Sequence, residues 1–215
     1  MSKNRTLMIN EIFYSIQGES LSVGEPTTFI RLSGCPLRCS YCDTNYAFKD
    51  GKEYDFDKIL KVVRDYNSRF ITVTGGEPLA QTNCISFLDL IANQYNVSLE
   101  TSNAYSIREV NTNVTIVLDV KTPKSNESDS NMEENYNYLK NTDQIKFVIC
   151  DLDDYEWSKK YINDYKLLEK CNILFSPSYD EMPLEDLANR ILDDNLPVRL
   201  QFQFHKYIWG DVRGK

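Results

Sequence analysis

The chain has 215 residues, a formal net charge of −8 and a pI near 4.8. The length suits one domain of ordinary size, and the charge argues against a nucleic-acid-binding surface, because duplex binding depends on clustered Lys and Arg that neutralise phosphates. Hydrophobic residues make up 41% of the chain, but their runs are strand-sized and far too short to cross a membrane. We expect one domain over residues 1–215 that binds neither nucleic acid nor membrane.

The N-terminal segment, residues 1–8, has no hydrophobic region of the kind that signal peptides carry. Six cysteines in such a chain are expected to be reduced thiols, because the cytosol keeps thiols reduced. We therefore expect a cytoplasmic protein with free thiols. Cys84, Cys150 and Cys171 are interpreted as small buried hydrophobes.

Short runs rich in β-branched and aromatic residues recur with helix-like segments between them, which is typical of a parallel sheet built from βα units. Several runs end in small or polar residues. Ligands bind at those carboxyl ends in parallel α/β folds, so the polar ends should meet at one mouth. The predicted strands are 28–32, 70–73, 97–100, 115–120, 144–149, 173–175 and 198–204.

Four segments carry helix signals: 56–66, 85–94, 155–168 and 184–193. In the first, Phe56, Ile59, Leu60 and Val63 recur at three- and four-residue spacing, which gives one apolar face against the sheet. Asp55 is a candidate N-cap for this helix. Segment 124–138 has few apolar residues and many turn formers, so it is predicted to be an exposed loop before a short helix.

Three cysteines, Cys35, Cys39 and Cys42, are separated by three and then two residues. They supply three thiolates for one metal centre, and an iron-sulfur cluster, which prefers cysteine ligands, matches them best. A structural zinc site needs a fourth ligand. None follows at suitable spacing, because the next cysteine is Cys84 and the only histidine is His205. One iron of a cubane cluster would be left for a small molecule.

Small and polar residues follow the predicted strands 70–73 and 97–100. The glycines after strand 70–73 allow the backbone to approach a ligand, and Glu77 can accept a hydrogen bond from an ammonium group. At the end of the next strand, Glu100, Thr101 and Ser102 are either cofactor ligands or strand-end caps. Lys121 and Lys146 hold comparable strand positions and are equally well explained as surface or ion-paired lysines. The residues in question are Gly75, Gly76, Glu77, Pro78, Glu100, Thr101 and Ser102.

The cysteine motif followed by Gly75-Gly76-Glu77-Pro78 resembles the radical S-adenosylmethionine (SAM) superfamily. Segments 13–19, 29–31 and 203–209 make the chain similar to one family within it, the 7-carboxy-7-deazaguanine synthases of queuosine-precursor biosynthesis. The resemblance covers about residues 11–209. Pro36, Tyr41 and Ser20 stand where Asn, Trp and Gly are expected in many relatives, and none of these departures removes a ligand or a charge.

The resemblance implies an α/β fold, a partial TIM barrel of about six parallel strands with reduced helices, as a homodimer. It implies a lyase that converts 6-carboxy-5,6,7,8-tetrahydropterin to 7-carboxy-7-deazaguanine with loss of ammonia. The implied cofactors are a 4Fe-4S cluster, SAM and Mg2+, with flavodoxin or ferredoxin as electron donor. The cluster and SAM generate the radical, so no protein side chain beyond the cluster ligands is expected to be catalytic.

The resemblance also implies site residues. The three cysteines hold three irons and SAM chelates the fourth. Thr44 is implied as a Mg2+ ligand, although from the residues alone it reads as a helix cap, and Asp43 would support it. Arg31 suits the substrate carboxylate, because its planar fork binds two oxygens together. Cofactor contacts are Tyr41, Gly75, Gly76, Glu77, Glu100, Thr101, Ser102 and Lys121. Substrate contacts are Ile16, Gln17, Gly18, Glu19, Arg31, Gly75 and His205.

Two alternatives stay open at this point. A glycyl-radical activating enzyme shares the cysteine spacing and acts on a partner protein, but it gives no reason for the Gln-Gly-Glu and His-Lys elements. A zinc- or cluster-binding structural module predicts no reaction, and it leaves Arg31 and residues 75–77 unexplained. A lone histidine is more often structural than catalytic. The position of His205 at the end of the last predicted strand nevertheless favours substrate binding.

Overall fold

Within residues 5–215, the strand-forming runs of the sequence fold into nine β-strands, which five short α-helices accompany. The computed structural model describes residues 5–215; Met1–Asn4, half of the segment predicted to lack a signal region, lie outside the described residues. The strands are β1 Thr6–Ile16, β2 Pro26–Leu32, β3 Lys52–Asp55, β4 Phe70–Gly75, β5 Asn96–Ser102, β6 Val114–Val120, β7 Gln144–Ile149, β8 Asn172–Pro177 and β9 Arg199–Leu200. The helices are α1 Phe56–Tyr66, α2 Cys84–Ile91, α3 Leu152–Asp164, α4 Leu184–Asp193 and α5 Phe204–Trp209.

All nine strands belong to one sheet, in the order β3-β1-β2-β4-β5-β6-β7-β8-β9. From β2 onward the neighbours along this order run parallel, whereas β1 is antiparallel to both β2 and β3. Within the described chain the sheet does not close on itself. The predicted partial TIM barrel is therefore confirmed, with six parallel strands of six or seven residues and a seventh, β9, of two residues.

Side chains of the parallel strands alternate between a helix-covered outer face and the barrel interior. On β6, Leu118 and Val120 belong to the hydrophobic core, whereas Asp119 lines the interior cavity. On β7, Phe147 packs in the core and Lys146 points inward. The core therefore lies outside the barrel, and the polar residues of the same strands are left for a site inside it.

Helix α1 has the bounds that its apolar spacing predicts, and so does α4. The Asp55 carboxylate accepts a hydrogen bond from the Lys58 backbone N–H at 2.7 Å, which confirms the predicted cap. The helix ends at Tyr66, and the residue that follows, Asn67, has a positive φ of 50°, which is typical of a helix C-cap. Helix α3 begins three residues before the predicted start, because Asp151 caps it by accepting from the Asp154 N–H.

The predicted strand 198–204 is wrong over most of its length. Only Arg199–Leu200 pair with β8, at the edge of the sheet, and the chain then turns into α5. Strands β1 and β3 were not expected. Strand β3 has one aromatic residue and three charged ones, and it forms because it pairs with β1. Whether such a segment forms a strand depends on the strand it pairs with, and local composition does not reveal that partner.

The segment predicted as an exposed loop, 124–138, is instead folded into short 3-10 helices, among them Glu133–Asn137. Asn135 is fully buried, where its side-chain amide donates to Asn103 and to the Tyr105 carbonyl. Hydrogen bonds order this segment together with Tyr136, which is 3% exposed and packs in the hydrophobic core. Cys84 lies in the core as expected, and Cys150 and Cys171 are half-buried. None of the helices within residues 5–215 has the length and apolar character that crossing a bilayer requires.

Candidate active site

A cavity of about 310 Å³ opens at the carboxyl ends of the parallel strands. It also receives the turn between β1 and β2, the cysteine loop after β2 and helix α5. All predicted site residues line it except Gly18 and Glu77. Those lining it are Ile16, Gln17, Glu19, Arg31, Cys35, Cys39, Tyr41, Cys42, Thr44, Gly75, Gly76, Glu100, Thr101, Ser102, Lys121 and His205.

The three cysteines of the motif lie on one wall of this cavity as half-buried free thiols. Burial raises the pKa of all three, to about 11 for Cys39, although the nearby Lys121 ammonium lowers it. Among residues 5–215, no three acidic, histidine or cysteine side chains are close enough to share one metal ion. A cubane cluster binds each thiolate through a different iron, so three thiols on one wall of the cavity fit it, with one iron left over.

The turn after β4 lies directly against the cysteine loop. A Cβ atom added at Gly76 would come within 2.2 Å of the Gly34 carbonyl oxygen and 3.0 Å of the Cys35 Cβ, so only glycine fits there. The Glu77 N–H donates to the same Gly34 carbonyl at 2.8 Å. Gly34 itself has a φ of 93°, which glycine adopts without strain. The Gly-Gly turn therefore fixes the start of the cysteine loop.

Residues 124–127 hold the cysteine loop from its other side. The Ser40 hydroxyl donates to the Lys124 carbonyl at 2.6 Å and its N–H donates to the Ser125 carbonyl at 3.1 Å. The Arg38 N–H donates to the Glu127 carboxylate at 2.5 Å. The sequence offers no signal for these contacts, because they join segments more than 80 residues apart.

Glu77, predicted to bind the cofactor ammonium group, does not line the cavity and is fully buried. One carboxylate oxygen accepts from the Leu79 N–H and the Thr101 hydroxyl, and the other accepts from the N–H and hydroxyl of Ser102. With these donors its acceptor sites are occupied by protein groups. The geometry thus gives the Glu77 side chain a structural position that ties the end of β4 to the end of β5.

Four charged side chains of alternating sign cross the cavity, from the turn between β1 and β2 to β7 and the end of β6. Glu19 pairs with Lys146 at 2.9 Å, Lys146 lies 3.9 Å from Asp119, and Asp119 pairs with Lys121 at 3.0 Å. Burial, the largest cause in both, raises the pKa of Glu19 and lowers that of Lys146. The Glu19–Lys146 attraction outweighs it together with the Gln203 hydrogen bond to Glu19 and the Asp119 and Glu100 charges near Lys146, which leaves Glu19 below and Lys146 above its ordinary pKa. The ion-paired explanation of the two lysines is therefore the one that the structure supports.

Two buried polar atoms of the cavity wall lack a hydrogen-bond partner within the described residues: the hydroxyl of Tyr41 and the Oδ1 atom of Asp119. A buried polar group without a partner costs about 1–3 kcal/mol, so native sites commonly satisfy such groups with a ligand. The cavity thus offers one free acceptor and one free hydroxyl close to the cysteine loop. Asp119 was not among the predicted site residues.

The side chain of Gln17 is 3% exposed and spans the floor of the cavity. Its amide nitrogen donates to Glu100 at 3.1 Å and to Thr72 at 3.2 Å, and its oxygen accepts from the Glu19 N–H. Burial and the Glu19 charge raise the pKa of Glu100. Gln17 therefore orients the Glu100 carboxylate and the backbone of Glu19, in addition to lining the cavity itself.

Arg31, on β2, lies in the cavity with its Nε atom donating to Glu11 at 2.8 Å. Its guanidinium group lies 5.8 Å from the Phe13 ring centroid and 5.9 Å from that of Tyr46. The described residues provide no hydrogen-bond acceptor for its two terminal nitrogens. Those nitrogens form the end of the fork that can bind a carboxylate.

Thr44 stands at the N-cap position of the short 3-10 helix Asn45–Phe48, but its side chain makes no capping hydrogen bond. It donates instead to Asp43 at 2.8 Å. Burial raises the pKa of Asp43, but hydrogen bonds from Gln203 and Thr44 and the Lys206 charge outweigh it and lower the pKa to about 2. Gln203 donates to both Asp43, at 2.9 Å, and Glu19, at 3.0 Å.

His205 lies in α5, rather than at a strand end as predicted, and it lines the cavity. A Cβ atom at Gly18 would lie 2.0 Å from the His205 Nδ1 atom, so only glycine lets this helix approach. The Gly18 carbonyl accepts from the Phe204 N–H at 3.0 Å. Gly18 therefore positions His205 by packing directly against its side chain and by binding the N-terminus of α5. Burial lowers the pKa of His205 despite the nearby Glu19 and Asp43 charges.

The partial barrel, its cysteine loop and its Gly-Gly turn define the class: the chain belongs to the radical SAM superfamily, whose family model matches residues 29–154. It is an enzyme that works with a 4Fe-4S cluster and SAM. Sequence comparison then identifies the family. The chain is 39% identical, over the full length of both proteins, to the 7-carboxy-7-deazaguanine synthase of Chlorobaculum tepidum.

Two further relatives of that name agree. That of Koribacter versatilis is 38% identical over 94% of this chain and 97% of its own, and that of Thermoplasma acidophilum is 34% identical over 97% and 100%. The chain belongs to the 7-carboxy-7-deazaguanine synthase family and is a lyase. The crystal structure of QueE from Escherichia coli has the same fold, with a TM-score of 0.78, 22% identity and coverage of 93% of this chain and 95% of that one. Family membership argues against an activating enzyme and against a non-catalytic module.

Proposed function

We propose that this chain converts 6-carboxy-5,6,7,8-tetrahydropterin to 7-carboxy-7-deazaguanine with loss of ammonia, as a step of queuosine-precursor synthesis. The observation that carries the proposal is that one cavity of about 310 Å³ holds both the three cysteine thiols and the open fork of Arg31. When bound, the cluster supplies the electron that splits SAM and so starts radical chemistry on the substrate.

The cysteine end of the cavity is proposed to hold the cofactors. Cys35, Cys39 and Cys42 would bind three irons. The unpartnered Asp119 Oδ1 atom and Tyr41 hydroxyl support a polar ligand beside them, and Lys121 places a positive charge near the thiols. Further contacts to SAM are proposed for backbone and side-chain groups at the strand ends: Gly75, Gly76, Glu100, Thr101 and Ser102.

The opposite end of the cavity is proposed to hold the pterin. The free fork of Arg31 suits the substrate carboxylate. Glu19 and Gln17 suit the donor-rich pyrimidine edge, with Ile16 and His205 beside it. Of the cavity carboxyls Glu19, Asp43 and Glu100, only Glu100 has a raised pKa, so it is the one best suited to hold a proton.

Mg2+ is proposed to bind at Thr44. The absence of a capping hydrogen bond leaves the Thr44 hydroxyl directed at Asp43, and oxygen ligands of this kind suit a hard cation that keeps most of its water. The low pKa of Asp43 keeps that carboxylate ionised beside the site. Replacing Thr44 by Val should raise the Mg2+ concentration needed for half-maximal activity and leave the iron content unchanged.

We also propose that the enzyme works in the cytoplasm as a homodimer and takes electrons from a flavodoxin or ferredoxin. Half-buried cysteines leave the cluster within reach of such a donor. Apolar residues near β9 and α5, including Leu200, Phe202 and Tyr207, are exposed in the single chain, which supports a dimer interface there.

The test is an anaerobic assay of the reconstituted protein with reductant, SAM, Mg2+ and the carboxytetrahydropterin, analysed by mass spectrometry. The proposal expects 7-carboxy-7-deazaguanine together with 5'-deoxyadenosine. If 5'-deoxyadenosine forms and the deazapurine acid does not, the substrate is wrong and the cofactor chemistry stands. A reaction without Mg2+ separates the metal proposal from the substrate proposal.

A further inference from the structure

The segment that follows α5 runs back across the barrel to strand β1. Arg213 donates from Nε to the Glu11 carboxylate at 3.0 Å and from Nη2 to the Asn10 side chain at 2.8 Å. Two hydrogen bonds thus join residues more than 200 positions apart in the sequence. Arg213 was not among the predicted site residues, and neither was Glu11.

Glu11 connects Arg213 to Arg31. One of its carboxylate oxygens accepts from Arg31 Nε at 2.8 Å and from the Tyr46 hydroxyl at 3.0 Å, and the other accepts from Arg213. The guanidinium groups of Arg31 and Arg213 lie 5.9 Å and 4.1 Å from the Tyr46 ring centroid. Both side chains of the Arg31–Glu11 pair are 16% exposed, so water screens that pair only weakly, whereas the Arg213 side chain is 53% exposed.

The charges of this group favour an anionic ligand. Burial raises the pKa of Glu11, but hydrogen bonds from Arg213 and Arg31 outweigh it and lower the pKa below the ordinary value, so the carboxylate is ionised at neutral pH. An isolated Arg31–Glu11 pair would be neutral. With Arg213 added, the group of Arg31, Glu11 and Arg213 carries a net positive charge. Of the two arginines, Arg31 is the one that lines the cavity, and its terminal nitrogens have no acceptor among the described residues.

We propose that Arg213 is a positioning residue for substrate recognition: through Glu11 and Tyr46 it fixes the Arg31 guanidinium and keeps the group positive, so that the terminal nitrogens of Arg31 bind a carboxylate. This inference rests on the proposed role of Arg31 in binding the substrate carboxylate. Arg213 itself does not line the cavity, so it acts through Arg31.

The experiment uses the reconstituted enzyme with SAM and two fluorescent probes, 6-carboxypterin and pterin, which differ only in the carboxylate. Arg213→Gln should raise the Kd for 6-carboxypterin about tenfold and leave that for pterin unchanged. The KM for the carboxytetrahydropterin should rise by a similar factor, with kcat changed less than about twofold. Arg213→Lys should recover part of the preference for 6-carboxypterin over pterin, because lysine restores the positive charge without the planar guanidinium group.

A double variant tests whether Arg213 acts through Arg31. Arg31→Gln should abolish the preference for the carboxylated probe, and Arg31→Gln combined with Arg213→Gln should lose nothing more. The matched control is Arg108→Gln, whose side chain is 66% exposed and lies outside the cavity lining. It should bind both probes as the unaltered enzyme does.

Two results overturn the proposal: an unchanged preference in Arg213→Gln, or a further loss of preference in the double variant. If Arg31→Gln keeps the preference, the proposed role of Arg31 fails first, which separates the two failures. Should Arg213→Gln not fold, Tyr46→Phe removes one hydrogen bond to Glu11 and keeps the ring. It should reduce the preference by a smaller factor, and an unchanged preference there would also overturn the proposal.

Discussion

The two faces of the parallel strands differ in what they contribute. On the outer face, Leu118 and Phe147 are fully buried in the hydrophobic core. Their neighbours in the chain, Asp119 and Lys146, lie on the inner face, in the cavity, with most of their side chains shielded from water. Because successive side chains of a strand point to opposite faces, stability and chemistry alternate residue by residue. The barrel is stabilised from outside, which leaves its interior free to carry charges.

Placing charged side chains inside the barrel costs free energy. Removing two charges from water is repaid only by close pairing and added hydrogen bonds, and Glu19 and Lys146 have both. Inner-face substitutions are therefore expected to affect binding and chemistry first, and outer-face substitutions to affect folding first. Four predictions test this division, from the largest expected effect to the smallest.

Cys42→Ser should abolish activity while the protein stays folded, because a hydroxyl does not replace a thiolate as an iron ligand. Iron content and the visible absorbance of the cluster measure the loss, and circular dichroism measures the fold. Cys150→Ser is the matched control, since that thiol lies outside the cavity lining. A Cys42→Ser protein with normal iron and colour would rule out the proposed cluster site.

Phe147→Ala should lower the free energy of unfolding by about 3–5 kcal/mol, because a fully buried ring leaves a cavity in the core. Urea denaturation of the apo protein measures it. Val148→Ala, one residue along and facing the interior cavity, should cost less. Equal losses at the two positions would contradict the division between the faces.

Lys146→Met should cost about 3 kcal/mol at neutral pH, because it leaves Glu19 buried without its partner. The sign of the pH dependence of stability follows from the pKa shifts of Glu19 and Lys146. The lowered pKa of Glu19 contributes stability that is present above 4.5 and lost as pH falls through the folded value, and the raised pKa of Lys146 contributes stability that is present below 10.5.

The deficit of Lys146→Met relative to the unaltered protein should therefore shrink as pH falls from 7 towards 4.5, because without Lys146 burial raises the pKa of Glu19 and the variant takes up a proton there first. Denaturation curves recorded across that range measure it. Lys159→Met removes a more exposed ion pair and should cost at most about 1 kcal/mol, with little pH dependence. A deficit in Lys146→Met that is constant with pH would show that Glu19 is not destabilised by the loss of its partner.

Asp55→Ala should lower the free energy of unfolding by about 1 kcal/mol and leave kcat and KM unchanged, because it removes only the cap of α1. Asp57→Ala in the same first turn is the control, since that carboxylate does not cap the helix. Thermal denaturation distinguishes the two. An effect of Asp55→Ala on KM would connect the outer layer to the site.

Local pattern was enough to predict the elements that are built from local signals. The apolar spacing of α1 and α4 and the apolar runs of β2 and β4 to β8 identify those elements, and the cysteine spacing and Gly-Gly turn indicate the cofactor end of the cavity. The residues that make up any one of these signals lie within about a dozen positions of one another. A pattern of that length carries its own evidence.

The rest depends on pairing between distant segments, which leaves no local mark. Strand β3 exists because β1 is beside it, and Arg213 reaches Glu11 across almost the whole chain. Glu77 shows a second limit: its position in the motif was visible, but the direction of its side chain was decided by the donors of Thr101 and Ser102. Residue type predicts what a group can bind, and only the fold decides which group it meets.

The amide nitrogen of Gln203 donates both to Asp43, next to the cysteine loop, and to Glu19, in the turn between β1 and β2. One side chain thus holds two carboxylates of like charge, from distant parts of the chain, beside the same cavity. An asparagine there is one methylene shorter and would lose its reach to at least one of them. A change at residue 203 should therefore disturb the proposed metal end and the proposed pterin end of the cavity together.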